Sequence, residues 1–410
     1  MAAVTGIAHL PHLTAELPGV GGRIKEHLTD FRVEEVPLYL PGGEGTHVYF
    51  SVTKEGIPTA EAVDRIARRL GVRPHDIGVA GLKDARAVTT QMMSLEHADA
   101  DKLTGCGDGR LSVEVVGRHT NKLRPGHLRA NRFVIRLRGV GEARLEAAGA
   151  ILDVLRRRGV PNYFGAQRFG ARGDTAALGE ALVRGDAAEF AALLLGRADS
   201  DDPPDCRAAR DAFDTGFLDR ALKRWPRHYR NERRALAAFK KKRRPADVVR
   251  AADRRMKRLY VSAFQSAIFN EILAARIDTL DRVLPGDMAQ KTDTGGVFLV
   301  EDADAEQPRA ERGEISPTGP IVGYRSRFAT GEPGRIEADA LARHDIQPDD
   351  FRRAGPMKPK GTRRALRFAL GEPDLAAGTD EHGEYLELTF TAPSGCYATV
   401  ALREITKSEC

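Results

Sequence analysis

The sequence predicts an α+β fold in which a helix-rich domain is inserted into a domain of strands and helices. Runs rich in β-branched and aromatic residues, typical of strands, occupy residues 47–54, 111–116 and 131–138. Charged stretches rich in Ala and Leu, typical of helices, then fill residues 207–275. Strands return at 363–370 and at 385–391, where Leu386, Leu388 and Phe390 alternate with polar residues. This order is expected when two outer segments share one sheet around an insertion.

Two helices are expected in the first segment, and two domains in the whole chain. Thr59 is placed to cap a helix with apolar residues on one face, and Gly71 ends it. A second helix covers residues 143–158 and ends at Gly159. At 410 residues the chain exceeds the usual size of one hydrophobic core. We therefore expect residues 1–156 and 353–410 to form one discontinuous domain and residues 157–352 to form the inserted one.

Composition favours a polyanionic partner and a cytoplasmic location. The formal net charge is +6 and the isoelectric point is near 9.1. The N-terminus lacks a basic start followed by an apolar run, and no stretch approaches the roughly 18 apolar residues of a membrane span. The cysteines are too far apart for a disulfide framework or a zinc site, so free thiols are expected. They are Cys106, Cys206, Cys396 and Cys410.

Neither a metal nor a nucleotide cofactor is expected. The 11 histidines form no ligand pair, and the chain contains no P-loop and no Gly-x-Gly-x-x-Gly turn. The acidic residues Glu301, Asp302 and Asp304 could serve a magnesium-dependent nuclease, which needs converging carboxylates. A solvated loop is the preferred interpretation of that acidic run.

The most informative segment is residues 81–91. Asp84 lies there between Lys83 and Arg86, on the connection between two short predicted strands. Nearby positive charge favours the ionised form of a carboxylate, and an ionised aspartate can attack an electrophilic carbon. From spacing alone, a surface turn whose charges pair with one another remains the simpler interpretation.

Short blocks spread over nearly the whole chain favour a catalytic interpretation of Asp84. They include Asp30-Phe31-Arg32-Val33, Gly81-Leu82-Lys83-Asp84, Asn131-Arg132-Phe133, Asn162-Tyr163-Phe164-Gly165, Pro317-Thr318-Gly319-Pro320 and Gly395-Cys396-Tyr397. In this order they resemble the tRNA pseudouridine synthase D family. The chain departs from that family at Cys396, where serine is more common, which removes a hydroxyl but leaves the neighbouring aromatic ring.

The resemblance implies an RNA-modifying isomerase that converts a uridine in tRNA, uridine 13 of the D arm, to pseudouridine. It also implies a mainly antiparallel catalytic domain interrupted by an inserted domain of the family, and no cofactor. Asp84 would act as nucleophile or as the base of an elimination, and both roles need a carboxylate. Lys25 is expected as its ion-pair partner and Lys83 as a secondary one. The alternative is that Lys25 is a surface residue and only Lys83 matters.

The resemblance also places substrate-binding residues. Phe133 and Tyr397 match positions that line the uracil site, and an aromatic face returns about 1 to 3 kcal/mol when a flipped base stacks on it. Asn131 shares a strand face with Phe133 and could bond a ribose, a base edge or the catalytic loop. Lys83 and Arg86 complete this set. From the residues alone, core packing by the two rings and a strand-start cap by Asn131 remain open.

The densest positive charge lies at residues 224–244. It would contact several phosphates of an RNA, although a solvated helix face is the other interpretation. The expected RNA-binding residues are Arg230, Arg233, Arg234, Lys240, Lys241 and Lys242. Arg168 is a further candidate, in the block of residues 162–170, for which packing at a domain junction is preferred.

Two remaining interpretations concern the adjacent Glu34 and Glu35 and the class of protein. Neighbouring residues on a strand point to opposite faces, so the two carboxylates cannot flank one bond, and we assign them structural roles. A protein that only escorts structured RNA would use the same basic residues without needing Asp84. We expect the chain to work as a monomer.

Overall fold

The computed structural model describes residues 9–354 and 358–408, which form two compact units. One unit contains the described residues of Thr14–Val160 and Phe368–Cys410, and the other those of Met1–Leu13 and Pro161–Arg367. The chain passes from one unit to the other after Leu13, after Val160 and after Arg367. The last two crossings lie beyond the two predicted domain boundaries, and the first was not predicted. Helices and mainly antiparallel strands together confirm the α+β class. Identification of the units with the catalytic and inserted domains stays a prediction.

The elements of the described residues are numbered in chain order. The strands are β1 (Phe31–Pro37), β2 (His47–Glu55), β3 (Gly78–Val79), β4 (Val88–Glu96), β5 (Leu111–His119), β6 (Leu128–Arg138), β7 (Val160–Pro161), β8 (Met288–Lys291), β9 (Val297–Leu299), β10 (Ile315–Ile321), β11 (Thr362–Ala365), β12 (Arg367–Phe368), β13 (Gly371–Asp380) and β14 (Gly383–Pro393). The helices are α1 (Thr59–Leu70), α2 (Ala100–Thr104), α3 (Leu145–Arg158), α4 (Thr175–Arg184), α5 (Ala187–Leu195), α6 (Pro204–Asp214), α7 (Leu218–Arg224), α8 (Arg230–Lys242), α9 (Pro245–Ala251), α10 (Arg254–Ala275), α11 (Ala303–Glu311), α12 (Gly331–Arg343) and α13 (Ala398–Thr406).

The unit that contains β1 is built on one eight-stranded sheet. Its order is β13-β14-β6-β1-β4-β2-β5, with β3 paired to β4, and β1 and β4 are parallel. Facing residues of neighbouring strands point to the same side of a sheet. One row therefore crosses the sheet through Phe390, Phe133, Val33, Thr89 and Lys54, and all five side chains are buried. Four of these five are residues expected in such a row, and the buried lysine is not.

Helix α1 covers part of this sheet and begins differently from the prediction. Its N-cap is Pro58, with an extended backbone, and Thr59 is the first helical residue rather than the cap. The Thr59 hydroxyl is instead engaged by Gln91 and by the main chain of Lys83. Gly71 ends the helix in the left-handed conformation, as predicted, with φ of 68°.

The other unit packs its helices around α10, which is buried on most sides. Asp253 caps this helix by accepting from Arg255 N at 2.7 Å. The core around it includes Trp225, Phe264 and Ile268, none more than 1% exposed. A small sheet of order β11-β10-β8-β9 completes the unit. Among the helices of residues 9–354 and 358–408, none has the length and apolar character needed to span a membrane.

Candidate active site

The loop between β3 and β4 carries Asp84 and is held by hydrogen bonds from two neighbouring elements. Gln91 on β4 donates its Nε2 to Gly81 O at 3.1 Å. Thr59 on α1 accepts from Lys83 N at 2.9 Å and donates to Gln91 Oε1 at 2.8 Å. Both Gln91 and Thr59 are buried. The loop thus stands on a fixed base, although the Asp84 side chain is 45% exposed.

Lys25 pairs with Asp84, with 2.9 Å between Nζ and Oδ2. The sequence predicts a strand-like run at Lys25, but the residue lies outside the strands, because Gly21 and Gly22 both have positive φ and interrupt the extended chain. Lys25 itself has φ of 57°, a left-handed conformation that is uncommon outside glycine. Arg86 donates Nη2 to Lys25 O at 3.2 Å. The loop that carries Asp84 therefore contacts both the ammonium and the main chain of Lys25.

An aromatic row continues from Lys25 across the sheet. The Lys25 Nζ lies 4.2 Å from the centroid of Phe31, a cation–π distance. Phe31 meets Phe133 edge-on with 6.2 Å between ring centroids, and Phe133 stacks on Phe390 at 5.2 Å. Phe133 is 8% exposed. The structure thus brings Asp84, Lys25 and Phe133 together through Phe31, and Phe133 offers only a small part of its ring.

Asn131 and Tyr397 lie at the same unit's β6 and α13. Asn131 is opposite Glu35 of the neighbouring strand, and its Oδ1 is buried without a hydrogen-bond partner among the described groups. A buried polar atom without a partner calls for an explanation. Tyr397 is the partly exposed N-cap residue of α13 and follows Cys396 in the sequence. Cys106 and Cys206 are free thiols, as expected, and Cys410 lies outside the described residues.

Lys83 pairs with Glu35 rather than with the aspartate next to it. The distance from Nζ to Glu35 Oε2 is 2.7 Å, and the two side chains are 6% and 1% exposed. Glu35 Oε1 also accepts from Met92 N at 3.4 Å. Glu34 points to the other face and meets Arg132 at 3.3 Å. The strand alternation expected for the two glutamates is therefore seen, and Lys83 is committed to a buried ion pair.

Lys54 on β2 also contacts the loop that carries Asp84, and the sequence alone did not single it out. Its Nζ donates to Asp84 O at 3.0 Å and to Ile57 O at 2.6 Å, and the residue is fully buried. Burial lowers the pKa of Lys54 to about 8, although the Asp84 carboxylate opposes this shift. The alternation of β2 could have identified it, because Lys54 points to the same face of the strand as the buried Phe50 and Val52.

Arg168 lies in the other unit and contacts polar groups of α10. It donates Nη2 to Ser262 Oγ at 2.9 Å and Nε to Ser266 Oγ at 3.2 Å. Its guanidinium lies 5.3 Å from the ring centroid of Phe164. These contacts give Arg168 a packing role in its unit, whatever its part in RNA binding.

The six expected RNA-binding residues of α8 divide by direction. Arg233 points inward and donates Nη1 to Leu222 O at 2.8 Å and to Trp225 O at 2.6 Å, so it closes the end of α7. The other five are exposed. They are Arg230, Arg234, Lys240, Lys241 and Lys242.

Acidic residues of the same unit partly neutralise the exposed cations of α8. Arg234 meets Asp253 at 3.5 Å, and Lys240 bonds Asp219. Arg230, Lys241 and Lys242 form no ion pair with a carboxylate of the described residues. A shallow groove of about 410 Å³ runs beside Lys241 and Lys242, with alanines as its apolar surface. These cations are therefore available to a negatively charged partner.

The acidic run at residues 301–304 serves local structure. Asp302 caps α11, and its Oδ1 accepts from Ala305 N at 3.1 Å. Within residues 9–354 and 358–408, no three His, Cys, Asp or Glu side chains are grouped as metal ligands would be. The structure thus gives no support to converging carboxylates at this loop.

Known proteins resemble this chain over nearly its whole length. The sequence profile of the family described as tRNA pseudouridine synthase D (TruD) matches residues 9–405. Proteins named tRNA pseudouridine synthase D from Geobacter metallireducens and Geobacter sulfurreducens are 44% and 45% identical over 399 residues; the match covers 97% of this chain and 97% and 96% of theirs. The crystal structure of the putative tRNA pseudouridine synthase D from Methanosarcina mazei has a TM-score of 0.86 at 30% identity, covering 97% of this chain and 96% of that one. The chain therefore belongs to the tRNA pseudouridine synthase D family.

Proposed function

We propose that this enzyme converts uridine 13 in the D arm of tRNA to pseudouridine, with Asp84 as its catalytic residue. The family and the curated relatives are named for pseudouridine synthesis in tRNA. The observation that carries the assignment to Asp84 is its ion pair of 2.9 Å with Lys25. Asp84 and Lys25 thus form a carboxylate–ammonium pair on an exposed part of a loop that is held in place by hydrogen bonds to Thr59 and Gln91.

The reaction needs a carboxylate and no cofactor. The bond between N1 of uracil and C1′ breaks, the base turns, and a bond from C5 to C1′ replaces it. C5 loses a proton and N1 gains one, so the product is an isomer of the substrate. Asp84 acts either as the nucleophile that holds C1′ or as the base that removes a sugar proton. Lys25 holds Oδ2, which leaves Oδ1 for the sugar in either case.

The target base is held outside its stack in this proposal. Extrusion of a base costs a few kcal/mol, and stacking on an aromatic side chain returns about 1 to 3 kcal/mol. Tyr397 supplies an aromatic face, and Phe133 contributes the small exposed part of its ring. Support comes from the aromatic row that joins Phe133 to Lys25 through Phe31. The unpartnered Asn131 Oδ1 accepts a hydrogen bond from the base or the ribose.

The exposed cations of α8 bind the RNA backbone in this proposal. Lys241 and Lys242 lack ion-pair partners among the described residues, which supports a role in binding phosphate. We assign catalysis to the unit of the eight-stranded sheet and this RNA contact to the helix-rich unit. Arg168 and Arg233 form hydrogen bonds inside the helix-rich unit and so stabilise it.

The position of the modified uridine is tested with two transcripts of one tRNA, which differ only by cytidine in place of uridine 13. Each is incubated with the enzyme, and pseudouridine is mapped by carbodiimide modification and primer extension. We expect one product, at position 13, in the first transcript and none in the second. Product at another uridine in both transcripts would contradict the assigned position. Tight binding without any product would favour a protein that only escorts RNA.

A further inference from the structure

Lys54 is a fully buried lysine beneath the catalytic loop. We propose that it is a positioning residue for the isomerisation, which fixes the main chain of Asp84 and so sets where the carboxylate meets the sugar. This inference rests on the proposed catalytic role of Asp84. It adds a charged residue that acts on the catalytic aspartate through the backbone and does not touch the substrate.

The hydrogen bonds of Lys54 define its role. Its Nζ donates to Asp84 O at 3.0 Å and to Ile57 O at 2.6 Å. No ion pair joins this ammonium to a carboxylate of the described residues. It donates instead to these two main-chain carbonyls. Because the Asp84 carbonyl is held by Lys54, the main chain cannot move freely, and the carboxylate can change position only by rotation of its side chain. Lys25 then fixes these by holding Oδ2 at 2.9 Å.

The second acceptor ties the loop to the start of α1. Ile57 lies in the turn between β2 and α1, and the neighbouring Gly56 donates its N–H to Ala87 O at 3.1 Å, at the end of the catalytic loop. Gly56 has φ of 63°, and a Cβ there would lie 2.4 Å from Arg110 Nη2. A side chain there would have to displace the Arg110 guanidinium and adopt a left-handed backbone, which glycine adopts without steric cost. One turn therefore holds both the end of the loop and the lysine that supports its catalytic residue.

Packing alone does not account for a lysine at this position. Phe50 and Val52, in phase with it on β2, are buried apolar residues, and its neighbour Leu111 on β5 is apolar too. A buried ammonium costs free energy that an apolar side chain would not. An apolar side chain at position 54 could not donate a hydrogen bond to Asp84 O, whereas the lysine ammonium does.

The buried Lys54 ammonium should lose its proton within the pH range in which the enzyme can be assayed. Burial lowers its pKa to about 8, the Asp84 carboxylate raises it, and the Lys83 ammonium lowers it. Its neighbours on β4 and β5, Thr89 and Leu111, are uncharged. Above about pH 8 the group becomes a neutral amine, which is a weaker hydrogen-bond donor to the Asp84 carbonyl.

The test compares single-turnover rates of pseudouridine formation from pH 6 to 9.5 in wild type, Lys54→Met and Lys54→Arg. We expect the wild-type rate to fall above about pH 8. Lys54→Met should be slower by about tenfold to a hundredfold at pH 7, the range for a small displacement of a catalytic group, and should lack this alkaline fall. Its affinity for tRNA should stay within about threefold of wild type. Lys54→Arg, if it fits the site, should keep its rate to higher pH.

Lys407→Met is the matched control, because Lys407 is another lysine of the same unit whose pKa burial lowers. Unlike Lys54, it lies 3.6 Å from a carboxylate, that of Glu404, and it donates to Thr14 O at 2.6 Å; neither contact involves the loop that carries Asp84. Its pH profile should match wild type. An equal alkaline fall in wild type and Lys54→Met, or equal rates at pH 7, would overturn the proposal. Activity of Asp84→Asn, measured in parallel, separates the two claims, since an active Asp84→Asn refutes the catalytic role of Asp84 on which this inference rests.

A second measurement covers the case in which Lys54→Met does not fold. Wild type and Asp84→Asn are labelled with ¹³C at Cε of lysine, and the Lys54 signal is followed by NMR against pH. The midpoint should be near 8 in wild type and lower in Asp84→Asn, which lacks the carboxylate that favours the charged amine. An unchanged midpoint would contradict the coupling between Lys54 and Asp84.

Discussion

The Lys83 ammonium donates to Glu35 Oε2 at 2.7 Å, although Lys83 is the sequence neighbour of Asp84. Both side chains are almost completely buried, so the pair is shielded from water. Lys25, far away in sequence, supplies the cation that pairs with the Asp84 carboxylate. Lys83 therefore anchors the loop to β1, and Lys25 pairs with its exposed aspartate.

Breaking the buried pair should destabilise the unit of the eight-stranded sheet. Lys83→Met leaves the Glu35 carboxylate buried without its cation, at a cost of about 3 to 5 kcal/mol. The double variant Lys83→Met/Glu35→Leu should recover much of that loss. Urea unfolding followed by circular dichroism measures both. Lys102→Met is the control, since it removes an exposed partner of Asp99 at 3.9 Å and should cost about 1 kcal/mol or less. Equal losses in Lys83→Met and Lys102→Met would contradict the assigned role.

Lys25→Met should slow catalysis more than it weakens binding. Loss of the cation beside Asp84 Oδ2 removes about 1.4 to 2.8 kcal/mol of transition-state stabilisation, or a tenfold to hundredfold change in rate. Single-turnover kinetics at saturating enzyme isolate the chemical step from binding. Arg86→Ala should have a smaller effect of the same kind, because Arg86 holds the Lys25 carbonyl at 3.2 Å. A weaker affinity with an unchanged rate would show that Lys25 only binds RNA.

The helix-rich unit should lose stability at alkaline pH through His344. Burial lowers the pKa of His344, but the hydrogen bonds that the imidazole donates to the Glu180 and Glu271 carboxylates outweigh this and raise the pKa to about 9. The unfolded chain releases the proton near 6.5, so this contribution is complete below pH 6.5 and is lost as pH rises through 9. The expected loss is about 3 kcal/mol.

Urea unfolding followed by the fluorescence of Trp225, the single tryptophan of the chain, reports on this unit. The midpoint should fall between pH 6.5 and 9.5 in wild type and change little in His344→Gln. His75→Asn, which alters an exposed histidine of the other unit, should keep the wild-type pH dependence. The same fall in His344→Gln as in wild type would refute the assignment.

Neutralising Lys241 and Lys242 should weaken RNA binding in proportion to the phosphates they contact. Each phosphate contact contributes about 0.7 to 0.9 to the slope of log affinity against log salt. Lys241→Ala/Lys242→Ala should therefore lower that slope by up to about 1.4 to 1.8, and the rate at saturating enzyme should not change. Lys291→Ala, at an exposed lysine of β8, is the control. An unchanged slope in the double variant would mean that this surface is only solvated.

Local sequence signals account for most of the elements but not for the geometry of the site. The strand β14 and helix α3 follow from strict alternation and from glycine at the helix end. Strand β10 does not, because Pro317 and Pro320 lie within it and proline cannot donate to a ladder. It forms because tertiary pairing with β8 and β11 outweighs that propensity.

The loop that carries Asp84 shows the same limit more sharply. Asp84 and Phe133 are proposed as site residues from the resemblance of their blocks to the family, because the residues alone favour a surface turn and core packing. The choice between Lys25 and Lys83 depends on contacts between residues distant in sequence, and Lys25 reaches Asp84 from a left-handed backbone. Lys54 was detectable as a charge on an apolar strand face, but its acceptor was not.

The most direct test of the account replaces Asp84 with asparagine, which keeps the size of the side chain and removes its charge. Wild type and Asp84→Asn are incubated with tRNA, pseudouridine is mapped by mass spectrometry, and RNA binding and folding are measured on the same samples. We predict pseudouridine with wild type and none with Asp84→Asn, while both proteins fold and bind tRNA equally. Wild-type levels of pseudouridine from Asp84→Asn would show that another residue catalyses the reaction.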